Sequence, residues 1–319
     1  MNELIFEMTN VSYGYSGRYS ALKEISVDVR AGECISILGS NGSGKSTLLK
    51  ITLGLLKPTS GEIKLYGKNP WKEGYTVRIH IGVTFEKATL PKWVSGAEYL
   101  THIARIKELP DAEKEVDKMA KLFQIDTYYH NNTETYSAGM LQKVAICGAF
   151  LGQPKLIILD EPTTNLDTQA RTNLTEIIKT YIKNYGTDFI ISSHFLTELE
   201  ELCTQLFVFS DGHILDQGNL QDLKQKYFAH TYRIEAKEPL KIIDQLYRSK
   251  GLQRITIEGK SILVEALDKK VVEQVVHQLK STGMQLEIWE ETPSIKAIYT
   301  KILEAHTPTT TLGNSPINN

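Results

Sequence analysis

Cysteine is scarce in this chain of 319 residues, and Cys34, Cys147 and Cys203 each stand alone in an apolar context. That spacing excludes a C-x-x-C redox or zinc motif and fits three reduced core thiols in a cytosolic protein. Charge of one sign is also lacking: 36 Lys and Arg face 38 Asp and Glu, interspersed, for a formal net charge of −2. A dedicated nucleic-acid binder would show a basic face, and none is visible. No apolar run reaches the ~18 residues that a membrane span needs. The start, Met1-Asn2-Glu3-Leu4-Ile5-Phe6-Glu7, has neither the basic nor the apolar region of a secretory signal. The expectation is a soluble protein, free to dock on something that is not. The length suffices for two domains, each with its own core.

What the chain does hold is a glycine-rich stretch, Gly39-Ser40-Asn41-Gly42-Ser43-Gly44-Lys45-Ser46-Thr47, which fits the phosphate-loop pattern G-x-x-x-x-G-K-[ST]. A loop whose N–H groups all point inward needs residues that accept positive φ and bring no Cβ near the ligand. Glycine meets both demands. In such a loop Lys45 reaches the β- and γ-phosphates and the Ser46 hydroxyl ligates Mg²⁺. The apolar run Cys34–Leu38 predicts a buried strand before the loop. Thr47–Leu53 predicts a helix after it, whose N-terminal end faces the phosphates. Upstream, strands are expected at 3–9 and 25–29, with Tyr13-Gly14-Tyr15-Ser16-Gly17 as a turn. Its tyrosines leave two readings open: a ring that stacks on a base, or a ring packed on its neighbour.

Further strands are expected at Gly61–Tyr66 and Ile79–Phe85, the latter ending at Glu86. Residues 93–130 change character, with periodic apolar positions and interleaved charges that predict amphipathic helices inserted into an α/β core. Ser137 is placed to cap the apolar helix that runs through Leu151, leaving N–H groups exposed at its start. Lys155–Glu161 reads as a buried strand with two carboxylates, Asp160 and Glu161, at its C-terminal end. Open α/β sheets bind ligands at that edge. Of two such acids, one can hold Mg²⁺ and the next can orient and deprotonate an attacking water. Asn165-Leu166-Asp167 forms a turn before a helix at 170–184, and Phe189–His194 reads as a strand ending in histidine. A lone histidine there is more often structural. This one emerges on the edge that carries Asp160 and Glu161, within reach of a γ-phosphate.

These pieces in this order resemble the ATP-binding subunits of ABC transporters, over about residues 3–225. Gly39–Thr47 is similar to the Walker A loop, Leu156–Asp160 to Walker B with Glu161 as general base, and Ser137-Ala138-Gly139-Met140 to the family signature. Tyr15 is similar to the aromatic that stacks on adenine, Asn165–Asp167 to the D-loop, and His194 to the H-loop switch. The resemblance implies a P-loop NTPase fold, a RecA-like α/β core in domain 1–225 with a helical subdomain at about 90–152. It also implies ATP and Mg²⁺ as cofactors, with Ser46, Glu86 and Asp160 around the metal. Lys45, Glu161 and His194 are the implied catalytic residues. Tyr15, the whole loop Gly39, Ser40, Asn41, Gly42, Ser43, Gly44, Lys45, Ser46 and Thr47, and Ser137, Gly139 and Asp167 are implied nucleotide contacts.

Two motifs depart from the pattern. Glu86 stands where the family has the Q-loop glutamine, and the signature reads S-A-G-M where S-G-G-Q is usual. Such signatures look like those of the ABC-2 type exporter branch, in which separate permease chains span the membrane. The implied assembly is a head-to-tail homodimer, or a heterodimer with a related ATPase, closing on ATP at the inner face of the cell membrane and moving the permease through the helical subdomain. The competing class is a soluble ABC ATPase acting on ribosomes or DNA. Such proteins usually carry tandem cassettes or long coiled coils, and this sequence shows neither.

Past Leu223 the pattern changes. Strands at Tyr232–Ala236, Arg254–Glu258, Ser261–Ala266 and Gln285–Glu290 alternate with helices at Leu240–Ser249 and Lys270–Leu279. That is the β-α-β-β-α-β order of a ferredoxin-like α+β domain. It is expected over 230–305, with a last helix at Ser294–Glu304 and a disordered tail at 306–319. With no metal cluster and no phosphate loop, this domain reads as a dimerisation or regulatory module, with a ligand sensor as the alternative.

Overall fold

The computed structural model describes residues 4–15, 19–193, 200–228, 230–259, 261–266, 268–281, 286–291 and 293–306. His194 and the tail beyond His306 lie outside the described residues. Two compact units divide the chain, Met1–Asn219 and Leu220–Asn319.

The first unit holds two sheets. Strands β1 (Leu4–Tyr15), β2 (Tyr19–Arg30) and β4 (Ser60–Leu65) form an antiparallel sheet in the order β2-β1-β4. Strands β3 (Cys34–Gly39), β5 (Ile81–Thr84), β6 (Leu156–Asp160), β7 (Asp188–Ser192), β8 (Gln205–Ser210) and β9 (His213–Asn219) form a sheet in the order β5-β6-β7-β3-β8-β9. It is parallel except for β9, which runs antiparallel to β8. Every residue of β3, β6 and β7 is buried. This is why these strands read as unbroken apolar runs rather than as alternation. Helix α1 (Lys45–Thr52) contributes Leu48, Leu49 and Ile51 to the core that Ile5, Phe6 and Met8 of β1 share with Ile35 and Ile37 of β3. Burial pushes the thiols of Cys34 and Cys147 far above their ordinary range, so both stay protonated and inert.

After the short helix α2 (Gly74–Arg78) and β5, the chain leaves the sheet for a helical region. It contains α3 (Gly96–Ile106), α4 (Ala112–Leu122), a 3₁₀ turn at Thr133–Thr135 and α5 (Ala138–Phe150). Its first helix opens on a capping box. The Glu98 N–H donates to Ser95 Oγ at 3.1 Å and the Ser95 N–H donates to Glu98 Oε2 at 2.7 Å. Helix α6 (Thr168–Tyr185) then leads into β7.

The structure differs from the sequence expectation in several places. β1 and β2 are longer than expected, and Tyr13 and Tyr15, expected in a turn, lie on β1 itself. The strand expected from Ile79 begins at Ile81, because α2 occupies the residues before it. The β8–β9 hairpin was not anticipated, although its Asp211-Gly212 turn, at φ 49° and 81°, is a strong hairpin signal.

In the second unit, β10 (Thr231–Ala236), β11 (Leu252–Glu258), β12 (Ser261–Ala266) and β13 (Leu286–Glu290) form an antiparallel sheet in the order β11-β12-β10-β13. That is the ferredoxin-like arrangement. Helices α8 (Pro239–Arg248) and α9 (Lys269–Ser281) supply Ile242, Leu246, Val272, Val275, Val276 and Leu279 to its core. Helix α7 (Leu220–Phe228) packs against α10 (Ile295–His306), and so it groups with this unit and not with the residues before it.

Candidate functional site

β6, β7 and β3 are neighbours in the parallel sheet, so their C-terminal ends lie side by side. β3 delivers the glycine-rich loop, β6 delivers Asp160 and Glu161, and β7 delivers Ser192. Gly42 and Gly44 take φ of 82° and 111°, the left-handed region that favours glycine. A Cβ on Gly44 would also stand 2.5 Å from the Ala21 carbonyl oxygen, and one on Gly39 would stand 2.7 Å from that of Phe209. The loop is therefore closed to side chains at both glycines. Gly44 caps α1 without a side-chain hydrogen bond, which leaves the first-turn N–H groups directed at the loop's hollow.

Lys45 is 6% exposed, and its ammonium donates to the Gly39 carbonyl at 2.8 Å and the Ser40 carbonyl at 3.2 Å. Glu161 Oε1 lies 4.0 Å from it. The Glu161 backbone sits at φ 50°, a turn that lifts its carboxylate off the strand toward the lysine. Its N–H donates to Ser192 Oγ at 3.0 Å and to the Ser192 carbonyl at 3.1 Å. Ser192 Oγ in turn donates to Asp160 Oδ1 at 2.5 Å. One serine hydroxyl thus fixes both acids. The sequence reading passed over Ser192; a polar residue at the end of a buried strand, opposite Asp160 in register, was the available signal.

The cleft over this arrangement has a volume of about 430 Å³. Tyr15, Asn41, Gly42, Gly44, Lys45, Ser46, Thr47, Glu86 and Glu161 line it, together with Ala21, which the sequence reading did not single out. Asp160 lies behind Glu161, 2% exposed. The Tyr15 ring is 40% exposed, meets Tyr13 edge-on at 4.9 Å, and forms a hydrogen bond through its hydroxyl with Thr47 Oγ1 at 3.3 Å. Both sequence readings of the tyrosines are compatible with this, since the ring packs on its neighbour yet keeps exposed surface at the cleft.

Ser137, Gly139 and Asp167 are not among the residues lining the cleft; they form a second cluster. Ser137 caps α5, its Oγ accepting from the Met140 N–H at 3.2 Å. Asp167 caps α6, Oδ1 accepting from the Ala170 N–H at 2.8 Å. A Cβ on Gly139 would come within 2.7 Å of the Asn165 carbonyl oxygen, so the two cap turns touch. The buried Gln142 amide donates to the Pro162 carbonyl at 3.4 Å, joining this cluster to the turn after Glu161.

Hydrogen-bond donors converge on the loop beside a buried ammonium, which suits a polyphosphate. The hydroxyl and carboxylate oxygens of Ser46, Asp160 and Glu86 are a hard donor set that suits Mg²⁺. Among the described residues no cluster of His, Cys, Asp and Glu forms a metal cage of its own.

Known proteins resemble this chain in sequence and in fold. The family model described as ABC transporter matches residues 22–164. The ABC transporter ATP-binding protein YhcH of Bacillus subtilis (strain 168) is 30% identical over 290 residues, 89% of this chain and 93% of its own. A solved ATP-binding subunit of an ABC transporter superposes with a TM-score of 0.65 at 29% identity, covering 70% of this chain and 93% of its own. The dimeric cassette MJ0796, solved in a post-hydrolysis state with ADP and Pi, shares the fold with a TM-score of 0.62 at 24% identity, over 67% of this chain and 98% of its own. The chain belongs to the ATP-binding proteins of ABC transporters and is an ATPase of that family.

Proposed function

We propose that this chain is the ATP-hydrolysing subunit of a membrane exporter, working at the inner face of the cell membrane with permease subunits on separate chains. The observation that carries this reading is the cleft in which Lys45, Ser46, Glu86 and Glu161 face the glycine loop, with Asp160 behind. Lys45 is placed to exchange its loop carbonyls for phosphate oxygens, and Glu161 to orient a water and accept its proton. When bound, Mg²⁺ supplies charge neutralisation at the phosphates, and Ser46, Asp160 and Glu86 are the residues that would hold it. Tyr15 offers its exposed ring to adenine. His194 is assigned to the γ-phosphate by family position. Ser137, Gly139 and Asp167 lie apart from the cleft, which supports a head-to-tail pair in which the signature of one subunit completes the nucleotide site of the other. The export direction rests on the S-A-G-M signature.

The lining of two hollows supports a route for coupling to the permease. Glu86 lines the nucleotide cleft, while Pro91 and Val94 on the same segment line a groove of about 780 Å³ with His102 and Arg105 of α3 and Val116 of α4. One stretch of chain therefore runs from the cleft to the groove, and the exposed Trp93 stands between its ends. The test is an affinity purification of Glu161→Gln protein with ATP from detergent-solubilised membranes. Recovery of one multi-span membrane protein in comparable amount is expected. Recovery of ribosomes or DNA-bound proteins in its place would move the chain to the soluble branch.

A further inference from the structure

Among the described residues, strand β11 is an edge of the second unit's sheet, bonded on one side to β12. Arg254, Thr256, Ile257 and Glu258 along it are all exposed. Natural sheets blunt such edges with proline, bulges or repelling charges. β11 contains no proline, and its one irregularity falls at the start, between Leu252 and Arg254. Its charges, Arg254 and Glu258, stand two residues either side of Thr256 and are opposite in sign.

We propose that β11 pairs antiparallel with β11 of a second copy of this chain, about a two-fold axis at Thr256, joining two four-stranded sheets into one. In that register Arg254 faces the partner's Glu258, Ile255 faces the partner's Ile257, and Thr256 faces the partner's Thr256, with each unlike pair repeated by symmetry. Backbone geometry selects the same pairing. The two-residue loop between Glu258 and Ser261 closes on those two as a bonded pair. Alternation along an antiparallel ladder then turns the N–H and C=O groups of Ile255 and Ile257 outward. These are the residues the proposed register brings together to exchange both hydrogen bonds. Moving the axis to Ile255 or Ile257 keeps the backbone bonds but sets Arg254 opposite Thr256 or beyond the strand's end, and both charge pairs are lost.

The apolar surface points to the same partner. Ile257 is 48% exposed on the face where Ile255 packs against the core that α8 covers. Helix α8 runs beside β11 and exposes Leu240 at 76% and Tyr247 at 67%. Pairing covers Ile257 with the partner's Ile255 and brings the two α8 helices together over the junction. On the other face, Arg254 reaches Glu304 at 3.7 Å and Glu258 reaches Arg233 at 2.9 Å within one chain. The cross-strand pairs extend this ladder of charges into the second copy.

The test uses the full chain without nucleotide or Mg²⁺, so its outcome is independent of the ATPase reading. Opposed Thr256 residues form a non-bonded antiparallel pair, whose Cα atoms lie about 4.5 Å apart, within disulfide range. The native cysteines are all buried. On mild oxidation Thr256→Cys is expected to give a covalent species of twice the 35.9 kDa chain mass that wild type does not give. In sedimentation velocity, Arg254→Glu should weaken the dimer about tenfold, by setting like charges opposite each other in both symmetric pairs. The double variant Arg254→Glu with Glu258→Arg should restore it. A Thr256→Cys protein that stays monomeric on oxidation, or a double variant no tighter than the single one, would overturn the proposal.

Discussion

At the scale of single residues, Ser192 carries more than its place in the sequence suggests. Its hydroxyl donates to Asp160 and accepts from the Glu161 N–H, so one small side chain sets the position of two buried acids. Replacing Ser192 with alanine should lower turnover by about 10–100-fold, in line with the loss of a hydrogen-bond partner to a carboxylate proposed to hold Mg²⁺. ATP affinity should change little, and Ser192→Thr should recover most of the rate. If threonine does not recover it, the serine's role is packing and not positioning. Tyr15→Ala tests the exposed ring separately. Base stacking on an aromatic is worth about 1–3 kcal/mol, and a nucleotide titration should show a loss of that size. An unchanged affinity would leave Tyr15 as a partner of Tyr13 and Thr47 alone. The glycines, Lys45 and the paired acids were legible in the sequence because their chemistry fixes residue type and spacing together. Ser192 was not, since a serine closing a buried strand has no pattern until β7 is placed beside β6.

Elements tell a similar story. β3, β6 and β7 were evident as apolar runs because both faces of each are covered. β5 was harder to bound, being short and preceded by a helix of five residues. Gly82 shows what that strand is for: a Cβ there would lie 1.8 Å from the Ala149 carbonyl oxygen, so α5 lies directly on β5. Gly82→Ala should force the signature helix off the sheet and destabilise the first unit by about 1–3 kcal/mol, the usual range for overpacking, as read by urea unfolding. A second element-level test uses pH. Lys107 closes α3 with its ammonium donating to the Leu151 carbonyl at 2.9 Å, and burial pushes its pKa down to about 8. Folding therefore penalises the charged form. The penalty is fully present below pH 8 and is relieved as pH rises toward the unfolded value of about 10.5, because the unfolded chain binds the extra proton in that window. Wild type should gain stability relative to Lys107→Met between those values, with a slope of at most about 1.4 kcal/mol per pH unit. Parallel stability curves would mean that Lys107 is solvated in the folded protein.

For the whole molecule, the question is how a cleft that handles nucleotide reaches a partner. The segment from Glu86 to Val94 lines the cleft at one end and the groove at the other, and Trp93 is 81% exposed along it. Trp93→Ala should leave the ATPase rate of the isolated chain unchanged and reduce co-purification of the membrane partner severalfold. A variant that still recovers the partner in full would place the docking surface elsewhere. The order of motifs made the family legible from sequence, and the second unit's strand order followed from alternation and a two-residue hairpin. The β11 edge did not, because an exposed strand with one Arg and one Glu gains its meaning only when the sheet order leaves it outermost.

The measurement that bears most directly on the account is turnover and nucleotide retention by Glu161→Gln with Mg²⁺ and ATP. If Glu161 is the general base, hydrolysis should fall by about 10²–10⁴-fold. The variant should carry close to one unhydrolysed ATP per chain through desalting, where wild type keeps little. Hydrolysis at the wild-type rate, or failure to retain ATP, would contradict the assignment on which the catalytic reading of this cleft rests.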